Sequence, residues 1–202
     1  MNPAALAAAW EIPISEAAIA EVQAAYAQPP RHYHTWKHVR AVCRTIAEAG
    51  PWADPASVLV AALLHDAVYV VGRSDNEARS ADLAVDWLRR HDVPADADRV
   101  AGLIRLTASH GGVSSSSVDA EAARFLDCDM AVLAAPPEVY TEYAAGVRAE
   151  WEPLVGDAYA QGRADFLARL LTTDAIFLSH WGAALEPAAR ANIAGEITAL
   201  RR

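Results

Sequence analysis

Hydrophobic and polar positions along this chain alternate with a helical period. After Ser15, a good N-cap, Ile19, Val22 and Tyr26 recur at three- and four-residue spacing until Pro29-Pro30 stops the segment. Thr35 caps a second predicted helix, with Val39, Val42 and Ile46 as its apolar stripe, running to about Gly50-Pro51. Asp54-Pro55 places an N-cap before a proline at the first helical position and opens a third helix through about Val70. Further helices are predicted near 76–91, 96–109, 137–151, 162–180 and 187–201. The stretch HGGVSSSSVD at 110–119 reads as a surface loop. Strand-like alternation is scarce, and neither a repeat nor a Pro/Gly/Ser-rich linker divides the chain. The expectation is an all-α fold, one helical bundle of 202 residues.

Composition narrows the classes of function. Hydrophobic residues make up 53%, enough for a sizeable core and too many for general disorder. The charge balance is 17 − 26 = −9, which argues against broad electrostatic binding to nucleic acid or an anionic membrane. Two cysteines, Cys43 and Cys128, are too few for a disulfide framework or a multi-cysteine metal site, and fit reduced thiols and a cytoplasmic address. The most apolar stretch, Val58 to Val71, is too short to span a bilayer and is interrupted by His65-Asp66. The N-terminus lacks the basic region of a signal peptide. Alanine-rich helices make a homodimer a plausible assembly.

That interruption is the first chemical signal. VLVAALLHDAVYVV (58–71) sets His65 and Asp66 in an otherwise apolar helix. A buried carboxylate is costly unless it is paired or coordinates a metal. The bland alternative is an arginine partner for Asp66 and a backbone hydrogen bond for His65. RHYHTWKHV (31–39) puts His34 and His38 four residues apart, on one face of a helix. Both can ligate one metal, or one ligates while the other faces a substrate; solvated histidines at a helix start are the alternative. FLDCDMAVLA (125–134) repeats the buried-carboxylate problem with Asp127 and Asp129, one suited to a metal and the other to a cap or to holding a histidine. Cys128 between them reads as a small core residue. Together His38, His65, Asp66 and Asp129 form an N/O donor set suited to Mn, Fe, Co, Ni or Zn, with Mg less comfortable beside two imidazoles.

The ordered pattern His38, His65-Asp66, Asp129 resembles the HD superfamily of metal-dependent phosphohydrolases, all-α proteins named for the adjacent His-Asp pair. RHYHTWKH, LLHDAVY, DNEARSA, LDCDMAVL, VRAEW and EPAARANIAGEI are similar to segments of small bacterial predicted members, a likeness that spans most of the chain. It implies a metal-site core at about 31–133, buttressing helices at about 136–202, one or two divalent ions, and a small phosphorylated substrate, most plausibly a nucleotide. YHTWKHV also resembles a segment of cyclic-nucleotide phosphodiesterases in which the first histidine donates a proton and the second ligates metal, which makes His34 the implied general acid and His38 a ligand. Those enzymes continue as HDxxH, whereas this chain has Tyr69 at the last position, so a second ion bridged by Asp66 needs water, Glu77 or His110.

Further candidates are weaker. Glu77 in SDNEARSA is either a base or water ligand, or a first-turn acid favoured by the helix dipole, with Asp75 or Asn76 as the cap. His110 either complements a helix C-terminus or, as the resemblance implies, contacts phosphate or metal. Arg31, Lys37 (the only lysine), Arg148 and Arg163 are candidate phosphate contacts, with surface ion pairs as the alternative. Phosphate-loop, dinucleotide-fingerprint and nucleophile-elbow motifs are absent. Two other readings compete with the phosphohydrolase: an HD-type di-iron oxygenase, and a non-catalytic metal-stabilised helical module.

Overall fold

The computed structural model describes residues 2–114 and 116–202. Among these the fold is all-α: ten α-helices and two 3₁₀ turns, with no strand. The chain divides into two compact units, Met1–Ser109 and His110–Arg202.

The first unit holds α1 (Pro3–Ala9), α2 (Glu16–Ala25), α3 (Trp36–Ala49), α4 (Pro55–Leu64), α5 (Asn76–His91) and α6 (Ala97–Thr107). Local chemistry sets the helix starts. Ser15 Oγ accepts from Ala18 N–H, Thr35 Oγ1 from Lys37 N–H, and Asp54 Oδ1 from Ser57 N–H, each satisfying a donor the helix leaves orphaned. Helix α4 is apolar on every side and packs against α3, α5 and α6. Val58 to Leu64 are fully buried, at about 1.5–3 kcal/mol for each large aliphatic side chain. Trp87 of α5 is equally buried, and α5 and α6 form the most extensive helix pair of this unit.

Two expectations fail here. Helix α1 was not foreseen; Asn2 caps it, with Pro3 in its first turn. The third predicted helix stops at Leu64 and not at Val70. Beyond it, backbone groups find side-chain partners that replace the next helical turn. Asp66 N–H donates to Tyr26 Oη at 3.2 Å, Val68 N–H to Ser80 Oγ at 3.0 Å and Val70 N–H to Asn76 Oδ1 at 3.0 Å. The His-Asp pair therefore sits at the helix end, in a turn built by three other segments, where ring and carboxylate are freer to converge.

The second unit holds α7 (Ala120–Met130), α8 (Pro137–Val155), α9 (Ala158–Thr172) and α10 (Glu186–Leu200), with 3₁₀ turns at Ala131–Ala134 and Gly182–Leu185. Its core gathers Leu133, Tyr140, Leu167, Leu170, Phe177 and Ile193. Helix α7 carries the 125–134 motif and was not foreseen as a helix; Asp119 caps it through Glu121 and Ala122 N–H. The helix predicted over 162–180 is shorter, ending at Thr172. Four successive N–H groups leave it for two carboxylates: Ile176 and Phe177 donate to Glu186, Leu178 and Ser179 to Asp127. Gly182 is required where it stands, because a Cβ there would collide with the Asp127 carboxylate and Phe177. Of the predicted surface loop at 110–119, Ser115 lies outside the described residues; Ser114 bonds Ser116 and Ser117 in a turn. No helix among the described residues is long and apolar enough to cross a membrane.

Candidate metal centre

Three of the sequence-nominated donors converge in the first unit. His38 comes from the first turn of α3, His65 from the C-cap of α4, and Asp66 from the turn that follows. His38 Nε2 lies 2.9 Å from His65 Nε2, while Asp66 Oδ2 lies 3.1 Å from His65 Nε2 and 3.5 Å from His38 Nε2. His65 is 1% exposed and His38 6%. Asp66 retains 14% of its side-chain surface, so the cluster opens on its carboxylate side.

The proton inventory of this triangle is informative. His65 Nδ1 stands 3.1 Å from the Ala62 carbonyl, which can only accept, so Nδ1 carries a proton. A neutral His65 then has an accepting Nε2, which can take a proton from His38 Nε2 at 2.9 Å and lies 3.1 Å from the Asp66 carboxylate oxygen. Either a proton shared among these three atoms or a cation among them relieves the repulsion of their lone pairs. Burial works against ionisation of Asp66, yet the charge of His65, the hydrogen bonds of His38 and His65 and the charge of His34 outweigh it and hold its carboxyl well below the usual range.

The donor set fits a divalent ion. Ligand atoms about 2.0–2.2 Å from one ion, at tetrahedral or octahedral angles, stand roughly 2.8–3.6 Å apart. The three edges here are 2.9, 3.1 and 3.5 Å. A backbone carbonyl on Nδ1 is also the usual way a ligating histidine has its ring orientation and tautomer fixed. His38, His65 and Asp66 form the one such donor group among the described residues.

Around this triangle lies an aromatic wall. The His34 ring stacks on Tyr69 with centroids 4.1 Å apart and meets His38 edge-on at 6.0 Å. Arg31 bonds carbonyls: its guanidinium donates to His34 O at 2.9 Å, Asp66 O at 2.7 Å and Ala67 O at 2.9 Å. Lys37 is exposed in the first turn of α3, and Glu77 is half-buried in the first turn of α5. Asn76, entertained as a cap, is buried and pins Val70 through both its amide atoms. Asp75 holds the cap position but bonds Arg73.

The remaining candidates belong to the second unit. His110 Nε2 lies 2.8 Å from Asp129 Oδ2, a half-buried pair. His110 and Asp127 also border a cavity of about 240 Å³ walled by Leu126, Met130, Ile176 and Leu178. Burial pushes the Asp127 carboxyl up, against the hydrogen bonds from Ser179 and Leu178. Cys128 is a buried core thiol. Arg148 pairs with Glu152 on the exposed face of α8 and stands over Tyr159. Arg163 is buried and paired with Glu196. Tyr26, Ser80 and the Tyr69 stacking were missed by sequence reasoning; the identity of Tyr69 in HDAVY was the only signal pointing to any of them.

No family model, no curated protein and no solved structure matches this chain.

Proposed function

We propose that this protein is a metal-dependent phosphohydrolase acting on a small phosphate ester, a nucleotide being the leading class. The observation that carries the reading is the triangle of His38 Nε2, His65 Nε2 and Asp66 Oδ2, buried and spaced as donors to a single ion. These three residues would hold a divalent ion; Asp129, the further ligand of the HD resemblance, bonds His110 in the second unit. Mn, Fe, Co, Ni and Zn suit the donors best. Such an ion, when bound, supplies Lewis acidity toward water and a phosphoryl oxygen.

The chain's own groups do the rest. His65 keeps its Nδ1 proton on the Ala62 carbonyl, so its Nε2 stays available as a donor atom. Asp66 stays ionised across the neutral range. His34, ring-stacked on Tyr69 beside His38, is the residue this reading assigns as proton donor to the leaving oxygen. Glu77 and His110 are the residues to test for water activation and phosphate contact.

Elemental analysis of protein purified without chelators tests the premise. One or two transition-metal equivalents are expected in wild type and none in His65→Ala or Asp66→Ala. Phosphate release from nucleotides and p-nitrophenyl phosphate by the loaded protein, lost in Asp66→Ala, is the expected activity. A loaded wild type inert toward the whole panel overturns the phosphohydrolase reading. Iron loading with oxygen uptake redirects it to an oxygenase, and a metal-raised melting temperature without turnover to a non-catalytic module.

A further inference from the structure

We infer that Arg31, with Tyr26 and Tyr69, is a positioning clamp for the metal centre, setting where Asp66 and His34 stand, and is not a phosphate contact. The inference rests on the metal-site reading above and assigns these residues a part in it.

The backbone of Asp66 needs partners from outside its own helix. It lies beyond the end of α4, so helical hydrogen bonding does not hold it. Its N–H donates to Tyr26 Oη at 3.2 Å and its carbonyl accepts from Arg31 at 2.7 Å. The next carbonyl, Ala67 O, accepts from the same guanidinium at 2.9 Å. Both peptide groups flanking the Asp66 Cα are therefore tied to one short stretch of chain, 26–31. A cation at the C-terminal end of a helix is also favoured by the helix dipole.

The clamp reaches His34 by two routes. Arg31 donates to the His34 carbonyl at 2.9 Å, fixing its backbone. Tyr69 stacks on its ring, with centroids 4.1 Å apart and planes 25° from parallel, fixing its side chain. Arg31 itself lies against two rings, 5.0 Å from the Tyr26 centroid and 5.5 Å from that of Tyr69. Planar guanidinium stacking and forked donation to separate carbonyls are both beyond a lysine. Tyr69, at the HDxxY position, thus has a packing purpose of its own.

The test measures metal affinity and metal-free stability separately, on the full chain. Metal-free wild type, Arg31→Lys, Tyr69→Leu, Tyr69→Phe and Tyr26→Phe are titrated with Co²⁺, following its visible absorption. Melting temperatures are recorded without metal. Arg31→Lys and Tyr69→Leu are expected to weaken Co²⁺ binding by roughly 10–100-fold and alter its absorption bands, as loss of ligand-orienting partners does elsewhere. Tyr69→Phe, which keeps the ring, is expected to retain wild-type affinity. Tyr26→Phe, which loses only the hydroxyl that accepts from Asp66, is expected to weaken binding severalfold, and it carries the test if Arg31→Lys fails to fold. Lower melting temperatures with unchanged Co²⁺ affinity and spectrum overturn the clamp and leave a purely structural role. Loss of inorganic phosphate binding by Co²⁺-saturated Arg31→Lys, with Co²⁺ affinity intact, overturns it in favour of a phosphate contact. A wild type that binds no Co²⁺ removes the metal-site reading itself, a result distinct from either.

Discussion

Glu196 in the second unit and Asp66 in the first are both carboxylates largely withdrawn from water, with 8% and 14% of their side chains exposed. Their neighbours differ in one respect. Glu196 accepts from Arg163 at 2.9 Å and from the Tyr140 hydroxyl at 2.5 Å, and Arg163 also donates to Tyr143 Oη at 3.0 Å. Each carboxylate oxygen there accepts a donated proton, and the negative charge faces a guanidinium. Asp66 faces two imidazole nitrogens, His65 Nε2 at 3.1 Å and His38 Nε2 at 3.5 Å. The first network pairs its carboxylate with a fixed cation. The second joins its carboxylate to two imidazoles, groups that can share a proton or ligate a cation. Burial of a carboxylate alone does not separate the two cases; the kind of partner around it does.

Mutating the two carboxylates tests this contrast most severely. Glu196→Leu leaves the buried Arg163 without its counter-charge and is expected to cost about 3–5 kcal/mol in urea unfolding. Adding Arg163→Met should recover most of that loss. Asp66→Asn in the metal-free protein supplies an amide donor toward His65 Nε2 and removes no guanidinium partner, so stability is expected to stay within about 1 kcal/mol of wild type or to rise. A cost for Asp66→Asn equal to that of Glu196→Leu breaks the contrast.

Metal sharpens it from the other side. Zn²⁺ or Co²⁺ at a thousandfold above Kd should raise wild-type stability by about 4 kcal/mol, and Asp66→Asn should largely abolish that gain. Affinity should increase with pH, because the histidines bind metal only when neutral. Equal stabilisation of Asp66→Asn would place the ion elsewhere.

A smaller effect comes from pH on the second unit. Burial foremost pushes the hydroxyls of Tyr140, Tyr143 and Tyr159 above the ordinary 10, and that of Tyr159 to about 12. The folded state keeps these protons where the unfolded chain has lost them. Their stabilisation is full below pH 10 and falls as pH rises, for Tyr159 across 10 to about 12. Unfolding midpoints measured on either side of pH 10 check this.

The smallest effect belongs to Glu21, whose carboxyl is lowered to about 2 chiefly by its hydrogen bond with Arg90, against some burial. Its contribution is present above about pH 4.5 and fades as pH falls toward 2. The pair is half-exposed, so Glu21→Gln should shift the acid midpoint only slightly.

The helical class, the caps at Ser15, Thr35 and Asp54, and the three side chains that meet are legible in the residues alone. Those signals are local: a cap acts within one turn, an apolar stripe repeats every three or four residues, and a charged pair in an apolar run marks itself. Long-range packing is what ends α4 at Leu64, gives Arg31 its carbonyl partners and pairs Arg163 with Glu196 away from water. Each of these is a matter of which distant group satisfies a donor, an acceptor or a charge. Tyr26 meets Asp66 across 40 positions, Arg31 meets it across 35, and Arg163 meets Glu196 across 33. Local periodicity carries no information over such separations, because the partner is chosen by packing and not by the residues next in line.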